Sequence, residues 1–274
     1  MTPAKERIFN VPTVVLGLVG LLVVIQAILG AVPPLTQFKI LAQFAFVPGR
    51  FTFAFDPGLV EAALNRGSRE SDTELATFFL GDGQPLWWTP LTYAFLHGGW
   101  AHVGMNSLWL VAFGSAVARR FGTARFLSFC AVTAVAGALM HFLTHVADLQ
   151  PVIGASAVVS GAMAAVVRFA FQPGAPLGAA LGFSDRRADL FYRLPALPLR
   201  EVASNRNALT FLGIWFLANF LTGIFPATMG MTDATIAWEA HIGGFLVGFL
   251  GFKWFDPPAP MTPLEKAAPP AGPI

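Results

Sequence analysis

Six long apolar stretches constrain the fold of this chain more than any other feature. They run over about 11–33, 100–118, 121–146, 152–171, 207–227 and 236–255. A helix needs roughly 20 apolar residues to cross a bilayer, and its backbone polar groups are hydrogen-bonded internally. A membrane β-barrel would show shorter segments of alternating hydrophobicity, which this sequence lacks. The pattern therefore predicts an all-α, multi-pass membrane protein with six transmembrane helices.

The composition agrees with a membrane domain. Apolar residues make up 55% of the 274 residues and charged residues only 12%, too few to cover a soluble domain of this size. The sequence pI near 9 reflects a net charge of only +2, so it gives no reason to expect nucleic-acid binding. We expect one membrane domain over residues 1–255 and a disordered, Pro- and Ala-rich cytoplasmic tail over 256–274.

The positions of the basic residues predict the orientation of the spans. Arginines cluster between spans two and three and after span four, whereas the connections 147–151 and 228–235 contain no Lys or Arg. Because basic residues concentrate on the cytoplasmic side, both termini should be cytoplasmic. The long segment 34–99 then forms an outer loop that lies partly in the membrane interface. The lack of an obvious transit segment favours a bacterial inner membrane.

Three polar signatures lie near the outer ends of spans two, four and six. His102 and Asn106 lie in the first two turns of span two, Ser156 near the start of span four, and His241 one to two turns into span six. With a rise of 1.5 Å per residue, these offsets predict a common depth of roughly 5–10 Å below the outer surface. The sequence therefore predicts one polar site inside the membrane.

These four side chains are suited to acyl transfer. A serine hydroxyl becomes a nucleophile when a base accepts its proton, and histidine is the commonest base. His102, Asn106 and the backbone N–H of Ser156 could stabilise the resulting oxyanion. Taken singly, serine and asparagine often only link membrane helices, whereas a histidine at membrane depth is more often functional. Their common depth favours a shared site.

Two glycines on span six support this arrangement. Gly244 and Gly248 are four residues apart, so they lie on one face of the helix and allow a second helix to approach closely. Spans four and six could then bring the imidazole of His241 to the hydroxyl of Ser156.

The signatures resemble those of the rhomboid family of intramembrane serine proteases. The matching segments are LTYAFLHGGWAHVGMN at 91–106, GASAVVSGAMAA at 154–165 and AHIGGFLVG at 240–248. Their order and their spans follow the family pattern, and the six-span layout covers nearly the whole chain. The resemblance implies an intramembrane serine endopeptidase that cleaves transmembrane segments of other membrane proteins in the lipid bilayer.

The resemblance also implies a role for each site residue. Ser156 would be the nucleophile and His241 its base. His102 and Asn106, with the Ser156 amide, would stabilise the oxyanion, and His97 would have no chemical role. No metal, nucleotide or other cofactor motif appears, so no cofactor is expected. The oligomeric state stays open.

The sequence departs from the family pattern in two places. Ala157 follows the serine where the family commonly has glycine, and Trp87-Trp88-Thr89-Pro90 stands where the outer loop often ends in Trp-Arg. Neither change removes a catalytic group. An alternative is a catalytically inactive rhomboid-like protein that binds or escorts membrane clients.

A further pair of histidines lies near the outer end of span three. His141 and His145 are four residues apart, a spacing that can hold zinc. No glutamate forms an H-E-x-x-H arrangement with them, so an intramembrane metalloprotease is not predicted. The sequence favours a partly hydrated pair without a metal.

Overall fold

The described part of the chain is helical. The computed structural model describes residues 11–65, 74, 77–171, 195–224 and 237–257. These ranges contain no strand, only an isolated bridge between Phe46 and Val152. The helices are α1 Thr13–Ala31, α2 Pro34–Phe44, α3 Pro48–Phe53, α4 Pro57–Leu64, α5 Thr89–Thr92, α6 Trp100–Phe121, α7 Thr123–Thr144, α8 Ser156–Ala170, α9 Leu199–Ser204, α10 Arg206–Ile224, α11 Trp238–Leu250 and α12 Phe252–Phe255.

Three of these helices are long and apolar enough to cross a membrane. They are α1 with 19 residues and α6 and α7 with 22 residues each, and α8 is a shorter apolar helix. Leu16, Val24 and Ile28 on α1 are more than half exposed, a surface that lipid accommodates and water does not. The predicted all-α class is confirmed for the described residues, and each of the six predicted stretches contains one of the longer helices.

Helix α8 lies at the centre of the bundle. All of its residues except Ser156 and Val159 are buried. A Cβ added at Gly244 of α11 would overlap the backbone of Ala157, and one at Gly248 would overlap the backbone of Gly161. The two parallel helices are therefore in backbone contact over at least one full turn. The close approach predicted from Gly244 and Gly248 is present.

The segment between α1 and α6 is anchored by a buried arginine. Arg50 of α3 donates to the carbonyls of Ala42 and Gln84 at 3.0 and 3.2 Å, and to the Asp82 carboxylate at 2.9 Å. Trp88 adds a hydrogen bond from its indole N–H to the Gln43 carbonyl at 2.7 Å. An arginine elsewhere in the segment thus holds the loop that lacks the Trp-Arg pair of the family.

An ion pair between Arg120 and Asp256 closes the end of the bundle at which α6 ends and α7 begins. Arg120 donates to both carboxylate oxygens of Asp256 at 2.6 and 2.8 Å, and its guanidinium lies over the rings of Phe169 and Phe252. Asp256 therefore has a fixed place at the start of the predicted tail. Residues 258–274 of that tail lie outside the described residues.

Candidate functional site

Ser156 is the first residue of α8. Its side chain is partly exposed, and no side chain caps the helix start. The first N–H groups of a helix have no partner within the helix, and they form the positive end of its dipole. The turn before Ser156 is held from outside the helix, because Gly154 N–H donates to the Tyr93 carbonyl at 3.0 Å and Ala155 N–H donates to Nε2 of His97 at 3.3 Å.

Gly154 lets the His102 ring approach the backbone closely two residues before Ser156. Its φ is +121°, a conformation that side-chain-bearing residues rarely adopt. A Cβ at this position would lie 2.8 Å from Nε2 of His102 and 3.9 Å from Nδ2 of Asn106. Two side-chain nitrogens of α6 therefore lie beside the backbone of Gly154, and the lack of a side chain there lets His102 come close.

The hydrogen bonds around His102 indicate which of its nitrogens carries the proton. Gly98 N–H donates to Nδ1 of His102 at 3.4 Å, so the neutral ring carries its proton on Nε2, the nitrogen beside Gly154. Asn106 is buried and uses one amide hydrogen on the His102 carbonyl at 3.2 Å. Its second amide hydrogen remains available. Both side chains can donate a hydrogen bond beside Gly154.

His97 contacts this region through a neutral imidazole ring. Its ring meets the His102 ring edge-on, with centroids 4.9 Å apart. Burial, together with the nearby His102, lowers the pKa of His97 to about 4. A neutral ring can accept the Ala155 N–H, so His97 fixes the turn that precedes Ser156. That His97 has no role in the chemistry stays a prediction.

His241 lies near the start of α11 and is hydrogen-bonded to Asn219 of α10. The contact joins Nδ1 of His241 to Oδ1 of Asn219. A carbonyl oxygen only accepts, so Nδ1 carries the proton and Nε2 keeps its lone pair. Sequence reasoning missed Asn219, although an asparagine within an apolar stretch was an available signal. In the structure this side chain is buried.

Ser156 and His241 lie on neighbouring helices next to a three-helix junction. A Cβ at Gly137 of α7 would lie 2.5 Å from the Ala157 methyl and 3.0 Å from the Ala240 carbonyl oxygen. His241 is also near enough to His102 for an electrostatic interaction. No hydrogen bond joins Ser156 to His241 within the part of the chain that the structure describes.

The same junction explains how Ala157 fits after the serine. Its methyl packs against Gly137, and its backbone packs against Gly244. The two helices that face Ala157 therefore each supply a glycine, and Ala157 itself stands at the position where the family commonly has glycine. We conclude that the methyl does not block the contact of α8 with α7 and α11.

The fold and this site define a class: integral membrane proteins of packed apolar helices with a polar site at one end of the bundle. The chain matches the family model described as Rhomboid domain over residues 84–255. This is more than half of its length, and the chain therefore belongs to the rhomboid family of intramembrane proteases. The resemblance seen in the sequence is confirmed.

A curated relative agrees with this assignment. The chain is 26% identical over 191 residues to the Rhomboid protease GluP of Bacillus subtilis (strain 168). The aligned part covers 68% of this chain and 30% of that relative. The chain thus spans less than a third of the relative's length.

Proposed function

We propose that the chain is an intramembrane serine endopeptidase that cleaves transmembrane segments of other membrane proteins. The observation that carries the proposal is the convergence of side-chain nitrogens of His102 and Asn106 beside Gly154, two residues before the start of α8. Ser156 would be the nucleophile there. Family membership and the similarity to a named rhomboid protease support the same reaction.

The proposed reaction begins with attack of Ser156 Oγ on a peptide carbonyl carbon while Nε2 of His241 takes the hydroxyl proton. The oxyanion accepts hydrogen bonds from Nε2–H of His102, from the Asn106 amide and from the Ser156 N–H. The C–N bond then breaks as His241 returns the proton to the leaving amine. Water, activated by His241, hydrolyses the acyl-enzyme and frees Ser156.

Asn219 would orient the base in this scheme. Its carbonyl accepts the Nδ1 proton of His241, so the imidazole is held with its Nε2 lone pair available for the serine proton. The imidazolium that forms during the reaction would also be stabilised by this bond. Asn219 is thus a positioning residue, since it acts through His241.

We also propose the topology predicted from the sequence. Residues 1–255 would form one domain with six transmembrane helices and an outer loop at 34–99. Both termini and the tail 256–274 would be cytoplasmic, in a bacterial inner membrane. The helices within the six apolar stretches support this topology. The site would then lie near the outer surface, where water and an unwound substrate segment can reach it.

The test uses purified protein in liposomes with a reporter transmembrane substrate. We expect wild type to cleave it, and Ser156→Ala and His241→Ala each to lower kcat by at least about 10³-fold, as for other serine proteases. Ser160→Ala, which removes another hydroxyl of α8, is the matched control and should stay active. A fluorophosphonate should label wild type and not Ser156→Ala. Equal cleavage by wild type and Ser156→Ala would overturn the proposal.

A further inference from the structure

The end of α7 carries two imidazoles outside the proposed catalytic group. His141 and His145 lie one helical turn apart, and their rings are stacked with centroids 4.5 Å apart and planes within 10°. His141 is buried, whereas His145 is partly exposed. A donor pair of this kind needs at least a third ligand to hold an ion firmly.

The structure supplies a third ligand from another helix. Glu239 lies in the first turn of α11, and its Oε2 is 3.5 Å from Nδ1 of His141. One ligand atom each from His141, His145 and Glu239 all lie within 4.8 Å of one another. The sequence could not predict this cluster, because Glu239 is not part of an H-E-x-x-H motif.

The cluster lies on a different face of α11 from His241. Gly243, four residues after Glu239, packs against Ala136 and Met140 of α7. Residues four apart share a helix face, whereas residues two apart do not. Glu239 therefore faces α7, and His241 faces away from it. A ligand at the cluster would not occupy the space of the proposed base.

A buried nitrogen without a hydrogen-bond partner points into this cluster. The His141 side chain is only 7% exposed, and its Nδ1 has no hydrogen-bond partner among the described residues. At 3.5 Å, Glu239 is too distant for a good hydrogen bond. Two ligands bound tetrahedrally to zinc at their usual bond lengths lie about 3.4 Å apart, so this separation suits a shared ion.

The second imidazole can take the hydrogen bonding of a metal ligand. The Thr144 hydroxyl lies 3.0 Å from the carbonyl oxygen of His141 and 2.9 Å from Nδ1 of His145. When the hydroxyl donates to the carbonyl, Nδ1 of His145 can donate to the hydroxyl oxygen, and Nε2 keeps a lone pair. Metal-binding histidines usually donate their other N–H in this way.

We propose that His141, His145 and Glu239 bind a divalent transition-metal ion, with Zn²⁺ as the preferred one. Two imidazoles and one carboxylate match the ligands of three-coordinate protein zinc sites, in which water fills the fourth position. Binding requires the partly exposed His145 ring to turn out of the stack so that both lone pairs meet one ion. The ion would join the end of α7 to the start of α11.

The test measures Zn²⁺ binding to the purified full chain in detergent micelles, after tag removal and chelator treatment. Competition with a chromophoric chelator should give about one Zn²⁺ per chain, and saturating Zn²⁺ should raise the midpoint of thermal unfolding. His145→Asn and Glu239→Gln should each weaken binding by at least about tenfold, the least that even an outer-shell partner contributes. Neither readout depends on proteolysis.

Glu201→Gln is the matched control, because it removes a carboxylate from the first turn of another helix, α9. It should leave Zn²⁺ binding unchanged. The proposal is overturned if wild type binds no Zn²⁺, or if the two ligand variants bind it like wild type. It is also overturned if Glu239→Gln lowers stability equally with and without Zn²⁺, since a simple ion pair with His141 would explain that result.

Discussion

The two ends of the helix bundle bury polar groups in different ways. At the opposite end, away from Ser156, Arg120 forms two hydrogen bonds to Asp256. Arg168 at that end donates to the carbonyls of Leu197 and Phe249 at 3.0 and 2.7 Å. Both guanidiniums are held by acceptors in fixed positions. They tie helices together.

The site end, where α6, α8 and α11 begin and α7 ends, has imidazoles in addition to the buried guanidinium of Arg50. All five histidines of the chain lie here, at positions 97, 102, 141, 145 and 241. An imidazole can donate, accept, bind a metal or change its charge near neutral pH. The comparison teaches that the buried arginines fix the structure, while the imidazoles of the site end can supply lone pairs and protons for chemistry.

The largest difference in activity is expected between alanine substitutions at two glycines with positive φ. Gly154 lies at the site end with φ +121°, and Gly122 lies at the opposite end with φ +76°. Alanine is strained at both, but a methyl at Gly154 also meets His102, whereas Gly122 has open space. Gly154→Ala should lower kcat/KM for the reporter by about 10²-fold or more, the cost of losing one oxyanion donor.

Gly122→Ala is the control for backbone strain. It should destabilise the protein by about 1–3 kcal/mol and leave the activity per folded molecule close to that of wild type. Folded protein is quantified by size-exclusion chromatography before each assay. If Gly154→Ala and Gly122→Ala retain the same activity, the close approach of His102 to Gly154 has no part in catalysis.

A smaller contrast is expected between two asparagines of the α10 region. Asn219 accepts a hydrogen bond from Nδ1–H of His241. Asn205 caps the start of α10 by accepting a hydrogen bond from Ala208 N–H at 3.1 Å. Asn219→Ala should lower kcat by about 10–100-fold, as for other residues that orient a histidine, with KM little changed. Asn205→Ala should lower the free energy of unfolding by about 1 kcal/mol and leave kcat unchanged.

The pH profile separates positioning from packing. Without the Asn219 carbonyl, His241 can place its proton on either nitrogen, so the limb of the kcat profile that reports the base should move in Asn219→Ala. Asn205→Ala should retain the wild-type profile. An unchanged profile and kcat in Asn219→Ala would show that Asn219 only packs against α11.

The sequence predicted those parts of the fold that depend on local composition. Hydropathy predicts the six helical stretches, and equal offsets from their ends predict a common depth for His102, Ser156 and His241. Gly244 and Gly248 predict the contact with α8 because four-residue spacing is itself a property of the helix. These predictions need no knowledge of how the helices are arranged around one another.

Contacts between distant segments could not be predicted in this way. Asn219 meets His241 only because α10 packs beside α11, and Glu239 meets His141 only because α11 crosses the end of α7. Arg120 was interpreted as an orientation signal, yet it is buried against Asp256, 136 residues away. Which polar residue finds a partner depends on helix rotation and register, and these are set by packing rather than by local pattern.

The smallest expected effect is a pH dependence confined to the site end. Burial lowers the pKa of His97 from 6.5 to about 4, so between these values the unfolded chain binds a proton that the folded chain does not. Stability should therefore fall as the pH drops through this window. Between pH 7.5 and 5.5, His97 should account for about 1 kcal/mol of unfolding free energy, which His97→Gln should remove.

Amide hydrogen exchange can locate this loss within the structure. The Ala155 N–H is bonded to Nε2 of His97, whereas the Leu197 N–H at the opposite end is bonded to the Arg168 carbonyl at 2.8 Å. After correction for intrinsic rates, protection of Ala155 should decrease at pH 5.5 more than protection of Leu197. In His97→Gln, whose amide oxygen can still accept the Ala155 N–H without titrating, the two amides should respond alike. An equal loss at both amides in wild type would mean that the titrating histidines act on the whole bundle rather than on the turn before Ser156.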